Sequence, residues 1–175
     1  KILKRMNRTY TNTHFINLAK EIRQILPNVG ISTDIIVGFP GESETDFDDT
    51  LKVMEKVKFD SAYTFKYSPR KGTKAMGYND QVNENIKQKR LEKLISLQNL
   101  HTKQRNESFI GRIEKVLIEK ESKRDERKWS GRTDSNKWVV FDKQNAKLKD
   151  VVDVNIKRTS GVTLFGEIYN KAKAA

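Results

Sequence analysis

The chain has 175 residues, of which 35% are hydrophobic and 33% charged, with a formal net charge of +12. That length gives one medium domain or two small ones with a modest core in each. No run approaches the roughly 18–20 apolar residues of a membrane span, and no secretory leader is read at the start. Zero cysteines exclude a disulfide framework, a thiolate zinc site and a thiolate-held iron–sulfur cluster within the chain.

Residues 11–26 read as an amphipathic helix, with Thr11 as N-cap and Phe15, Leu18, Ile22 and Ile25 at helical spacing. Pro27 ends it, because the residue before a proline avoids the helical region. Val29 to Gly38 has a short β-branched centre, as expected for a strand buried on both faces. Phe39-Pro40-Gly41 follows as a type II turn, with proline at its second position and Gly41 where φ must be positive. Ser43-Glu44-Thr45-Asp46 then looks like a capping box. Phe47, Leu51, Met54 and Val57 form the inner stripe of the helix it opens, and Ser61 to Tyr67 is a second strand. A strand–helix–strand unit with short links implies parallel strands and a right-handed crossover. Two such strands do not make a covered sheet, so further strands are expected before Lys1.

Ser68 to Asn83 is a polar loop. Glu84 to about Ser108 reads as one long helix, with Ile86, Leu91, Leu94 and Ile95 on one side. From Ile110 the period becomes two. Strands are expected in Ile113–Ile118, Lys128–Asp142, Asp150–Lys157 and Thr163–Tyr169, with the charge run Glu119 to Lys128 as a solvated hairpin loop. Short strands in a row without helices suggest a small antiparallel barrel. The boundary falls near 108–110, giving domains over 1–109 and 110–175. His14 and His101 are read as helix-surface residues, too few and too far apart for a metal site.

The basic excess is five over residues 1–100 and seven over 101–175. It favours a polyanion such as nucleic acid through counterion release, against the plainer reading of a generally basic surface. The segment Ile36-Val37-Gly38-Phe39-Pro40-Gly41-Glu42 lies at the C-terminal end of a parallel strand and opens a helix, where ligands of α/β folds bind. An ordinary tight turn is the competing reading.

Thr33-Asp34-Ile35-Ile36-Val37-Gly38-Phe39-Pro40-Gly41-Glu42 resembles the fifth-strand signature of the radical S-adenosylmethionine (SAM) methylthiotransferases. Three further segments are similar to that family in the same order. Leu3 to Thr11 resembles the helix after its fourth strand, and Phe59 to Thr73 its sixth strand and following loop. Ser130-Gly131-Arg132-Thr133-Asp134-Ser135-Asn136-Lys137 resembles the TRAM domain, a small RNA-binding β-barrel. Ser32-Thr33-Asp34 and Ser68-Pro69-Arg70-Lys71-Gly72-Thr73 look like the MiaB type. The resemblance therefore implies an α/β chain: the C-terminal part of a partial (β/α) radical SAM barrel, followed by a small antiparallel, OB-like barrel.

The implied activity is the addition of a methylthio group to carbon 2 of isopentenyl-adenosine beside the anticodon of tRNA. The implied cofactors are SAM and two [4Fe–4S] clusters, the latter held by N-terminal domains of the same polypeptide, so this cysteine-free part is expected to be inactive alone. The implied setting is the cytoplasm, with the tRNA anticodon stem-loop as partner and no membrane. Asp34, Ile36, Gly38 and Phe39 would face the adenosyl group, and Arg8 would pair with the SAM carboxylate, a geometry that suits a guanidinium. Arg70 and Lys71 would touch the anticodon backbone, and Arg132, Lys137, Lys157 and Arg158 would contact phosphates. For each cation a solvated surface residue is the competing reading. Trp138, Phe141 and Phe165 stack on bases or fill the barrel core. Two functional alternatives stay open: a methylthiotransferase for threonylcarbamoyl-adenosine, and a non-catalytic RNA-binding or interaction module. An exposed edge on the Ile35–Val37 strand would favour self-pairing.

Overall fold

The computed structural model describes residues 1–169. They form two compact units, one of Lys1–Pro27 with Ile31–His101, the other of Asn28–Gly30 with the chain from Thr102 on.

In the first unit, α1 (Ile2–Arg5) is a single turn and α2 (Asn12–Ile25) is capped by Thr11, whose hydroxyl accepts the His14 N–H at 3.2 Å. The buried strip of α2 is narrower than its pattern suggests. Ala19 is buried and Phe15 and Ile16 pack beside it, whereas Leu18 and Ile25 are 45% and 78% exposed. The helix meets little more than α3 (Glu44–Val57), and a single partner helix covers one ridge of side chains.

Strand β1 (Ser32–Val37) pairs in parallel with β2 (Ser61–Lys66), from Ser32 opposite Ser61 to Val37 opposite Lys66. Burial on both faces does not occur. Exposure alternates along β1, with Val37 in the core and Ile36 39% exposed. One face of this two-stranded sheet packs into the cluster that holds Phe47, Leu51, Met54 and Val57 of α3; the other carries Asp34, Ile36, Tyr63 and Phe65. The capping box forms as its sequence implies, Ser43 Oγ accepting from Asp46 N and Asp46 from Ser43 N.

Helix α4 (Glu84–Glu107) departs most from its sequence pattern. Ile86 and Ile95 are exposed, while Lys87, Arg90, Leu94, Gln98 and His101 are buried. Those five recur at intervals of three and four residues, so they are one helical face. Leu94 of that face joins the apolar core, whereas its polar members meet backbone oxygens: Lys87 Nζ donates to the Tyr67 carbonyl at 3.2 Å and Gln98 Nε2 to that of Phe59 at 3.0 Å. His101, expected on a helix surface, is 4% exposed.

The second unit is a closed barrel of β3 (Ile113–Ser122), β4 (Asp125–Thr133), β5 (Trp138–Asp142), β6 (Val151–Thr159) and β7 (Leu164–Ile168), in the order β3-β4-β5-β7-β6 with β6 returning to β3. The barrel is not wholly antiparallel as expected, because β5 and β7 pair in parallel. Val116, Ile118, Val139, Phe141, Val154, Ile156 and Leu164 fill it. At Gly131 and Gly166 a Cβ would lie 2.3 Å from the Leu117 carbonyl oxygen and 2.4 Å from that of Asn155, so strands approach there as only glycine permits. The charge run Glu119–Lys128 is no loop. It is nearly all strand, turning over Lys123 and Arg124 with Ser122 opposite Asp125. Its charges suit the solvent side of a ladder as well as they suit a loop, which is why polarity alone misplaces it.

Candidate functional site

Two regions carry chemistry, one in each unit. The first begins at the turn after β1. Gly38 and Gly41 adopt φ of 73° and 79°, and Glu42 N closes the turn on the Phe39 carbonyl at 2.9 Å. The Glu42 carboxylate folds back onto this turn. Its Oε2 accepts from Gly38 N at 2.5 Å and Phe39 N at 3.1 Å, and its Oε1 accepts from Arg90 Nη1 at 3.1 Å. Arg90 also donates to the Glu42 carbonyl and, through Nη2, to Glu44. Both side chains of the Glu42–Arg90 pair are over nine-tenths buried. Burial pushes the Glu42 carboxyl above the usual carboxylate range, while the Gly38 N–H, Arg90 and the Phe39 N–H pull it back. Phe39 lies edge-on to Tyr67, with ring centres 5.1 Å apart. The side chain of Lys87 covers Gly38 so closely that a Cβ there would meet its Cγ at 2.3 Å.

This arrangement divides the residues expected at the cofactor. Arg8, Asp34 and Ile36 line one cavity of about 710 Å3, whose wall also holds Thr33, Tyr10 and Glu42. Gly38 and Phe39 do not line it; both are buried, and their N–H groups are taken by Glu42. In this structure they shape the turn. The remaining set fits part of a SAM site: a guanidinium for a carboxylate, a carboxylate for hydroxyl or amine donors, and an isoleucine for a flat base. An iron–sulfur cluster does not fit this chain, which has no cysteine. Among the described residues, no group of three or more His, Cys, Asp or Glu is placed to hold a metal ion, and no helix is long and apolar enough to cross a membrane. Arg70 and Lys71 are exposed on the loop after β2, where the Arg70 carbonyl accepts both the N–H and the hydroxyl of Thr73.

The second region is the barrel surface. Arg132 stands over the Trp138 ring, 4.3 Å from its centroid, and Arg158 stands 3.8 Å over Phe165. Lys157 is half exposed, 3.9 Å from Glu167. Lys137 differs from its expected role. It is 6% exposed, with its ammonium 5.8 Å from the centre of the Phe109 ring, so a phosphate contact would require it to leave that position. Of the three aromatics, Phe141 is core, whereas Trp138 and Phe165 lie on the outer face. Sequence reasoning missed Lys120, whose ammonium is also 4.3 Å from the Trp138 centroid, because it lies in the run read as a loop. The run from Glu119 to Lys128 is polar throughout, so no alternation marked Lys120 as a strand residue.

Residues 107–169 match the TRAM domain family. Over 95% of its length the chain is 47% identical to the tRNA-2-methylthio-N(6)-dimethylallyladenosine synthase of Clostridium tetani. It is 46% identical over 97% to the protein of that name from Natranaerobius thermophilus, and 45% identical over 96% to that from Acetivibrio thermocellus. Nearly the whole chain is thus similar to part of these MiaB-type proteins, and its C-terminal part matches the TRAM family. It spans 35–38% of the length of these relatives. The resemblance noted in the Gly-Phe-Pro-Gly-Glu segment and in Ser130–Lys137 thus extends across both units, and the closed five-stranded barrel is the TRAM part.

Proposed function

We propose that this chain is the cofactor-facing wall and RNA grip of an enzyme that adds a methylthio group to carbon 2 of N6-dimethylallyladenosine in tRNA. The observation that carries this reading is 45–47% identity, sustained over 95–97% of the chain, to three proteins bearing that activity in their names. Arg8, Asp34 and Ile36 hold SAM against the free side of β1, and Glu42 with Arg90 fixes the turn behind it. When bound, SAM supplies the radical and the methyl group, using clusters held elsewhere in the polypeptide. Without cysteines this chain makes no product by itself. Arg70, Lys71, Arg132, Lys157 and Arg158 contact phosphates of the anticodon stem-loop, the positions that a basic surface favours. The setting is the cytoplasm, where tRNA is modified.

The test is a chimera in which this chain replaces the matching residues of the Clostridium tetani protein. The expected result is 2-methylthio-dimethylallyladenosine in tRNA, read by mass spectrometry of nucleosides, with Arg8→Ala and Asp34→Ala lowering its yield. A product carrying the threonylcarbamoyl group instead would overturn the substrate assignment. A folded chimera that gives no 2-methylthio nucleoside would overturn the enzymatic reading.

A further inference from the structure

Two cations from different strands meet over one indole on the outer face of the barrel. Trp138 of β5 is the register partner of Arg132 of β4. Both point outward, because their neighbours Val139 and Gly131 face the filled interior. A β-bulge brings Lys120 to the same place. Ile118 pairs with Gly131 and Lys120 with Ser130, leaving Glu119 as the extra residue of β3. In a regular ladder Glu119 would stand opposite Ser130, and Lys120 would be directed to the side of Trp129, which packs against the core. The bulge reverses that direction, a use to which bulges are often put. The Lys120 ammonium and the Arg132 guanidinium then each lie 4.3 Å from the Trp138 centroid. The guanidinium is oriented further by Asn136 Oδ1, which accepts from its Nη1 at 2.5 Å, and by Glu119, 3.5 Å from its Nε.

We propose that Lys120 and Arg132 form a phosphate-binding clip for RNA and that Trp138 is the positioning residue that holds both cations in place. This rests on the tRNA-binding reading above. Two like charges brought together repel, and the negative face of the indole, with the Glu119 carboxylate beside Arg132, offsets that repulsion while no phosphate is bound. A bound phosphate would complete the balance. The occupant is a phosphate and not a stacked base, because the ring face a base needs is covered by the cations. Arg158 over Phe165 is a single cation on a ring and makes no such clip.

Binding of a fluorescent anticodon stem-loop to the chain, measured between about 50 and 200 mM salt, tests the clip, since each phosphate contact contributes about one unit to the logarithmic salt slope. Lys120→Ala and Arg132→Ala should each reduce the slope by about one unit. Trp138→Leu removes no charge yet should also reduce it, and Trp138→Phe, which keeps a ring face, should restore it. A slope unchanged in Trp138→Leu overturns the positioning role, and one unchanged in Lys120→Ala overturns the clip. A second arm does not depend on tRNA. The chain has two tryptophans, so Trp129→Phe, or Trp129→Tyr if that variant folds poorly, leaves Trp138 as the sole reporter. Tripolyphosphate should change its emission, and Lys120→Ala should abolish the change. No change with tripolyphosphate overturns the clip even if tRNA binds. A change with tripolyphosphate but no binding of the stem-loop supports the clip and counts against the tRNA reading.

Discussion

Glu42 and Arg90 are the residues on which the first unit's ligand-side turn depends. Each is more than nine-tenths buried, and the carboxylate serves two backbone N–H groups as well as the guanidinium. Removing one partner leaves the other charge buried without compensation, a change that costs about 3–5 kcal/mol. Arg90→Met should therefore lower the unfolding free energy of the first unit, measured by urea titration, by that order, and a loss below about 1 kcal/mol, the worth of an exposed pair, would show that water reaches the site. A second residue-scale effect comes from His101. Burial, with Lys58 nearby, holds its imidazole below the ordinary value of 6.5, against a weaker upward pull from Glu55. The folded state thus keeps His101 neutral while the unfolded chain takes up a proton as pH falls through about 6.5. Its contribution is present above that pH and is lost below it, toward the lower folded value. Unfolding at pH 7.5 and 5.5 should show this loss, and His101→Gln should flatten it. Equal pH dependence in both proteins would count against the assignment. Neither the buried ion pair nor the buried imidazole was legible in the sequence, because a charged residue on a long polar helix carries no sign of the carbonyl or carboxylate that will meet it.

At the scale of elements, local chemistry was more readable. Thr11, the Ser43–Asp46 box and the Phe47, Leu51, Met54, Val57 stripe stand where short-range rules put them, since caps and helical spacing depend on residues within a turn or two. Ser43→Ala should cost about 1 kcal/mol, the usual worth of an N-cap, visible as a lower thermal midpoint; no shift would mean that Asp46 alone secures the helix start. What was not readable depends on distant partners. The parallel β5–β7 pairing joins strands that the chain separates by β6, and no local pattern encodes that choice. The bulge at Glu119 likewise exists only against β4. For the candidate site, Arg8, Asp34 and Ile36 were expected from the resemblance and line one cavity, whereas the N–H groups of Gly38 and Phe39 are taken by Glu42 in the turn.

At the scale of the whole molecule, each unit has its own core, one built around Phe47, Met54 and Phe59, the other around Phe141, Ile118 and Ile156. The segment from Thr102 to the end should therefore fold by itself, giving a β-type circular dichroism spectrum and one cooperative unfolding transition. A featureless spectrum would show that its core is insufficient alone. The two sheets also differ in how their strands end. Every barrel strand has a neighbour on each side, whereas among the described residues β1 is paired with β2 alone. Hydrogen exchange should record that difference as a pattern in time. Along Ser32–Val37, amides directed at β2 should exchange slowly and those between them fast, a two-residue rhythm of protection. Inside the barrel, successive amides should persist together until the whole ring opens.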